Sequence, residues 1–248
     1  DFVGQIIHPQ EWNSSINYEN KKVAVIGSGA TAVTLVPQIA KKASHVTMIQ
    51  RSPTYIASVP SKYKILHLLN YISPKFGYKI IRFTNILRQR RIYRRARRSP
   101  ELVKDYLLGL VRDELPDFDI EKHFTPSYNP WEQRLCLAPD SDFFESIKQK
   151  RVSIETETID SFSEKGVQLD SGKLIEADII VTATGIKLQN FGGIRIFVDE
   201  NEIDISKSFI YKSMMYTQIP NFINTFGYIN ASWTLKADLT SKYACRLI

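Results

Sequence analysis

The residues with the clearest chemistry are Gly27-Ser28-Gly29-Ala30-Thr31-Ala32, a Gly-x-Gly-x-x-Ala turn directly after the apolar run Val23 to Ile26. In that setting Gly27 lets the chain turn off a strand. Gly29 presents no Cβ to a pyrophosphate, and Ala32 permits close packing of helix on strand. Backbone N–H groups at the start of the helix would face phosphate oxygens, aided by the positive end of the helix dipole. Two glycines also occur in ordinary strand-to-helix connections. Context favours a dinucleotide: Thr31, Leu35 and Ile39 recur at helical spacing behind the turn, and a second apolar strand, Val46 to Ile49, follows at the distance of a βαβ unit.

The end of that second strand, Gln50-Arg51-Ser52, selects the nucleotide. A carboxylate there would accept from ribose hydroxyls, but no Asp or Glu is adjacent in sequence. The Arg51 guanidinium suits a 2′-phosphate, which favours NADP(H) over NAD(H); the competing reading is a solvated surface charge. Other chemistries lack residues. Cys136 and Cys245 form no Cys-x-x-Cys pair, which argues against a disulfide scaffold and a dithiol reductase, and both are expected to be buried thiols. His8, His45, His67 and His123 have no metal-ligand spacing, so no metal is expected, and no Gly-x-Ser-x-Gly elbow occurs.

The elements that would position these residues fit an α/β protein. A chain of 248 residues, 43% hydrophobic and 24% charged, can bury one large core or two modest ones. No apolar run approaches the roughly 20 residues of a membrane span, and the expected location is cytoplasmic. From Pro53 to Pro116 the pattern reads as helices. Phe76, Ile80, Phe83 and Leu87 form one stripe; Ser99-Pro100-Glu101 opens a second helix whose buried face is Tyr106, Leu107, Leu110 and Val111. The run Arg88–Arg98 supplies much of the net charge of +7. A solvated basic face is the leading reading, with peripheral contact to an anionic membrane the functional one; nucleic acid is not expected, since no groove-reading or stacking element accompanies the charge. Asp140-Ser141-Asp142 caps a short helix. Val152 to Glu157, Ser161 to Leu169 and Lys173 to Glu176 read as a β-meander. Asp178 to Thr182 is a buried strand ending at Ala183-Thr184-Gly185, and Trp233 to Ile248 a helix.

The N-terminal segment carries Phe2-x-Gly4-x-x-x-His8-x-x-x-Trp12 shortly before the glycine turn. By pattern alone these are aromatic anchors on a connector. Their spacing resembles the fingerprint of Baeyer-Villiger monooxygenases, which belong with the flavin-containing monooxygenases. Gln50-Arg51-Ser52-Pro53, Asn129 to Arg134, Ala183-Thr184-Gly185 and Asn230 to Asp238 are similar to the branch containing the mycobacterial thioamide-prodrug-activating monooxygenase. Two departures stand out: Asn13 replaces the usual Pro or Asp, and Gln133 stands where several relatives carry a Lys that helps hold the 2′-phosphate.

The resemblance implies a Rossmann-type NADP-binding domain at 21–178 with a helical insertion at 62–128. It makes 1–20 the fingerprint linker and tail of an FAD domain, and 179–248 a return into that domain. It implies FAD and NADPH as cofactors, and insertion of one oxygen atom from dioxygen into a ketone, or oxidation of sulfur or nitrogen in a thioether, thioamide or amine, through a peroxyflavin. Arg134 becomes the catalytic guanidinium, against an ordinary loop salt bridge. Gln50, Arg51 and Ser52 then join the glycine turn at NADP, with Ala183, Thr184 and Gly185 on the flavin side. Members of the family carry a further glycine-rich unit for FAD, so the chain is expected to be an internal piece that does not hold FAD stably alone. A non-catalytic NADPH-binding module and a flavin-dependent reductase are the alternatives.

Overall fold

The computed structural model describes residues 2–62, 73–133, 135–228 and 232–248. The chain forms two compact units, Asp1–Ile186 and Lys187–Ile248.

The first unit is built on a five-stranded parallel sheet. Its members are β1 (Gln5–Ile7), β2 (Lys22–Ile26), β3 (His45–Gln50), β6 (Val152–Thr156) and β10 (Ile179–Thr182), in the order β1-β10-β2-β3-β6. The apolar runs are continuous because both faces are covered. Alternate side chains divide between two cores: Val23, Val25, Val46, Met48, Ile179 and Val181 face one, while Ala24, Ile49 and Ile180 face the other. On the first face lie α1 (Ala30–Ile39) and α5 (Asp142–Lys148), with Val33, Val36 and Ile39 meeting Phe143, Phe144 and Ile147. Each such aliphatic side chain contributes about 1.5–3 kcal/mol on burial. The second face is closed by an antiparallel meander, β7 (Ile159–Ser163), β8 (Gly166–Leu169) and β9 (Leu174–Glu176), through Val167, Leu169 and Ile175.

Several expectations are corrected. Val152 to Thr156 is not a meander strand; it pairs in parallel with β3, Val46 opposite Val152, as the edge of the main sheet. The divisions at 20/21 and 178/179 do not interrupt the sheet, since Ile179 to Val181 sit opposite both Gln5 to Ile7 and Val23 to Val25. The buried face of α1 is Ala32, Val33, Val36 and Ile39, with Thr31 and Leu35 only half-buried, because the helix starts at an N-cap on Gly29 and its phase follows from that start. Cys136 is buried but Cys245 is exposed.

A smaller layer joins β4 (Ile56–Val59) to β5 (Cys136–Pro139) in parallel and packs α2 (Pro74–Arg98), α3 (Pro100–Glu114) and α4 (Ile120–Phe124) nearby. Tyr55, Ala57, Ala96, Val103 and Leu107 form its core. Leu107 and Val111 are buried as expected, joined by Val103 and Leu108, but Tyr106 points outward at 65% exposure and Leu110 is half-buried. The α2 stripe exists at the expected spacing, yet Phe76 and Phe83 are exposed. Neither Ser99 nor Ser141 makes a side-chain cap; Ser141 donates to Glu114 Oε1 (2.6 Å), tying α3 to the start of α5. Among the described residues no helix is long and apolar enough to cross a membrane.

The second unit contains two hairpins, β11 (Phe197–Val198) with β12 (Asn201–Glu202) and β13 (Ile210–Tyr211) with β14 (Met215–Tyr216), and a terminal helix, α6 (Trp233–Leu247). Phe191, Tyr216 and Phe222 cluster at ring separations of 5.3–6.1 Å. The first unit is an α/β fold of Rossmann type: a parallel sheet whose central strand runs through a glycine turn into a packed helix.

Candidate functional site

Parallel pairing places the C-terminal ends of β1, β10, β2 and β3 on one edge. Leaving that edge are His8, then Ala183-Thr184-Gly185, then Gly27-Ser28-Gly29, then Arg51-Ser52. Residues far apart in sequence therefore meet along a single border, the usual ligand position in open α/β sheets.

Gly27 adopts φ +131°, a conformation open to glycine, and its N–H donates to the Ile49 carbonyl (2.8 Å). A Cβ at Gly27 would collide with the Ala183 carbonyl oxygen. Its role thus extends beyond the turn: it lets the loop after β10 lie directly against the loop after β2. Gly29 differs. Its backbone is extended (φ −78°) at the N-cap of α1, and the space its Cβ would take is empty. The N–H groups of Ala30, Thr31 and Ala32 open the helix, where no intrahelical carbonyl can reach them. An anion approaching over Gly29 would meet those donors and the helix dipole together. Ala32 is fully buried and packs in the main core. Ser28 Oγ donates to the Ser52 carbonyl (3.1 Å), fixing the glycine turn to the segment after β3.

Arg51 is exposed at that strand end, whereas Gln50 points inward at 2% exposure. The Gln50 amide donates to the His123 carbonyl and to Thr156 Oγ1, both at 2.8 Å. The interior takes up its side chain, so of the cofactor candidates Gln50 is brought to the border only by its backbone. His123 Nδ1 lies 2.8 Å from the same Thr156 hydroxyl, and burial holds the imidazole below its ordinary pKa. Glu157, whose N–H donates to the Gln50 carbonyl (2.9 Å), brings a carboxylate to the end of β6. That carboxylate accepts from the Ser171 N–H, and hydrogen bonding from the Ser171 side chain and then its backbone keeps its pKa low. Linear distance hid Glu157 from the sequence reading; it becomes a neighbour only through β3–β6 pairing.

The fingerprint residues serve the same border. His8 Nδ1 accepts from the Gln10 N–H (3.2 Å), leaving Nε2 to donate to the Gly185 carbonyl (2.8 Å). Gly185 is itself at φ +138° with open space on its side-chain face. Phe2 packs beneath the meander, a Cβ at Gly4 would strike the Asp178 carbonyl and the Phe2 ring, and Trp12 meets Tyr18 edge-on at 5.7 Å. These contacts hold β1 and its following turn in place. Carboxylates gather at the opposite edge: Lys22 Nζ pairs with Glu176 (2.6 Å), and the Lys22 N–H donates to Asp178 (2.7 Å). Arg134 lies outside the described residues, as do Asn230 and Ala231. The Glu132 carboxylate accepts from the Asn129 N–H (2.8 Å), and Tyr55, its pKa pushed up to about 12 by burial, donates to the Tyr128 carbonyl (2.8 Å).

No family model matches the chain. The whole chain is similar to curated proteins at high identity: 49% over 251 residues to the FAD-containing monooxygenase EthA of Mycobacterium tuberculosis, of which it covers 51%, and 49% over 249 residues to the probable FAD-binding monooxygenase AlmA of Acinetobacter baylyi, of which it covers 50%. It therefore spans about half the length of the curated relatives it matches. Among solved structures, an oxidized steroid monooxygenase bound to NADP superposes with a TM-score of 0.58 at 18% identity, over 74% of this chain and 42% of that one. An open cyclohexanone monooxygenase gives 0.55 at 19%, over 74% and 43%. At such identities the structures speak to the fold alone.

Proposed function

We propose that this chain, similar throughout to about half of an FAD-containing monooxygenase, is the part of such an enzyme that receives NADPH and holds it beside the flavin. The observation that carries the reading is the shared border on which the glycine turn, Arg51, His8 and the Ala183–Gly185 loop meet. The residues fit the cofactor. Empty space over Gly29 would admit a pyrophosphate beside the first N–H groups of α1, and the exposed guanidinium of Arg51, just after β3, suits a 2′-phosphate. Ala183, Thr184 and Gly185, tethered by His8, form the side turned toward FAD.

When bound, NADPH supplies hydride and FAD supplies the chemistry that activates dioxygen. This chain's residues bind, orient and screen. The close Gly27–Ala183 contact sets the spacing of the two loops, and the His8–Gly185 bond ties the turn after β1 to the loop after β10. Arg134 is proposed as a cation that stabilises negative charge developing on oxygen during transfer to a ketone, or to sulfur or nitrogen of a thioether, thioamide or amine. Coupling tests this. In the complete enzyme, Arg134→Ala is expected to keep oxidising NADPH while releasing hydrogen peroxide in place of oxygenated product. Unchanged coupling would remove Arg134 from the reaction, and no NADPH turnover in the unaltered, flavin-loaded enzyme would favour a binding module.

A second contact is supported by α2, which contains no Asp or Glu, ends in Arg94, Arg95, Arg97 and Arg98, and exposes Phe76 and Phe83. That combination suits peripheral attachment to an anionic membrane.

A further inference from the structure

One concavity takes no part in the reaction described above. Within residues 187–248, a cleft of about 430 Å³ lies between the tip of the β13–β14 hairpin and one face of α6. Lys212 stands at that tip in the left-handed region (φ 51°), and Lys236, Thr240, Tyr243 and Arg246 recur along α6 at helical spacing. Two of the lining residues are buried: Met214, and Thr240 at 2% exposure.

The charge around this cleft is one-sided. Lys236 Nζ donates to the Lys212 carbonyl (3.2 Å), and Lys212 Nζ stands 4.2 Å from the centre of the Tyr243 ring, so both ammonium groups are held at the wall. Lys242 is paired with Asp238 (3.0 Å), but Lys212, Lys236 and Arg246 meet no carboxylate among the described residues. Among the lining residues, the Thr240 hydroxyl is buried and has no hydrogen-bond partner among the described residues. Like charges around a concavity repel, and a buried donor without an acceptor is costly. An oxyanion relieves the repulsion and brings acceptor oxygens to the lining.

We propose that the cleft binds a phosphate group, free or carried on a small molecule. A dianion with several acceptor oxygens matches three cations and a hydroxyl better than a carboxylate, which offers two oxygens and one charge. The arrangement is separate from the glycine turn and does not depend on the NADPH assignment.

Calorimetric titration of the whole chain with inorganic phosphate, above neutral pH and at low ionic strength, tests this, with adenosine monophosphate as the carried form. Saturable binding at the cleft is expected, weakened about tenfold or more in Arg246→Gln and in Lys212→Gln; any further site that weakens in Arg51→Ala is that of the glycine turn. Both substituted residues are exposed, so unchanged melting of each variant shows that the fold persists. Tighter binding of the nucleotide supports a carried phosphate, and equal binding supports the group alone. Loss in Arg51→Ala without loss in Arg246→Gln would place the anion at the glycine turn and overturn the proposal. Displacement by chloride at matched ionic strength would overturn it too, as attraction by surface charge only.

Discussion

Helices α1 and α2 show two ways of making a helix persist. The ten residues of α1 carry no acidic residue in their first turn and no basic one in their last, and include Pro37. An isolated helix so short would be marginal in water. It persists because Ala32, Val33, Val36 and Ile39 are buried against the sheet. The 25 residues of α2 bury only Gly77 and Ala96, and local devices hold it: Pro74 in the first turn, Ser73 Oγ accepting from the Phe76 N–H, and arginines in the last turn against the negative end of the dipole. Tertiary packing fixes where α1 starts to within a residue, and so fixes which N–H groups open the helix. Local stabilisation leaves a surface free for other uses.

The comparison can be broken most severely at Gly27. Gly27→Val combines a strained φ with a collision against the Ala183 carbonyl, so a loss of about 2–4 kcal/mol is expected in denaturant unfolding. A stability within experimental error of the parent would show that the two loops do not need their close approach. Next comes Gln50→Ala, which strands the His123 carbonyl and leaves the Thr156 hydroxyl with His123 Nδ1 alone, and should cost about 2 kcal/mol of folding stability. Its nicotinamide cofactor preference should not change; an altered preference would return the side chain to the binding border. Smallest in stability is Phe83→Ser on α2, where a change below about 0.5 kcal/mol is expected because the ring is already exposed. The same variant should sediment less with phosphatidylserine vesicles, and equal sedimentation would argue against the membrane contact.

How much could be read in advance follows the same division. Strands β2, β3 and β10 were legible because burial on both faces leaves uninterrupted apolar runs, and the glycine turn because φ +131° at Gly27 restricts the residue type. The face of α1 was legible only to within one position, since phase depends on where the N-cap falls. The spacing that identified the α2 stripe could not say whether anything covers it. Partnerships set by folding were invisible: Gln50 looks like a polar strand end until His123, 73 residues away, closes over it, and the His8–Gly185 bond spans 177 residues. Val152 to Thr156 alternates like a meander strand, and only its pairing with β3 reveals a parallel edge.

NADPH is proposed to be held at the border of the sheet through the glycine turn and Arg51. The most direct measurement is paired titration of NADPH and NADH into the parent protein and Arg51→Ala, followed by fluorescence. The parent should bind NADPH more tightly than NADH. The variant should lose about 1.5–3 kcal/mol of NADPH affinity with NADH binding hardly changed, the range for a charge-assisted hydrogen bond to phosphate. Equal losses for both cofactors, or none for either, would contradict the account.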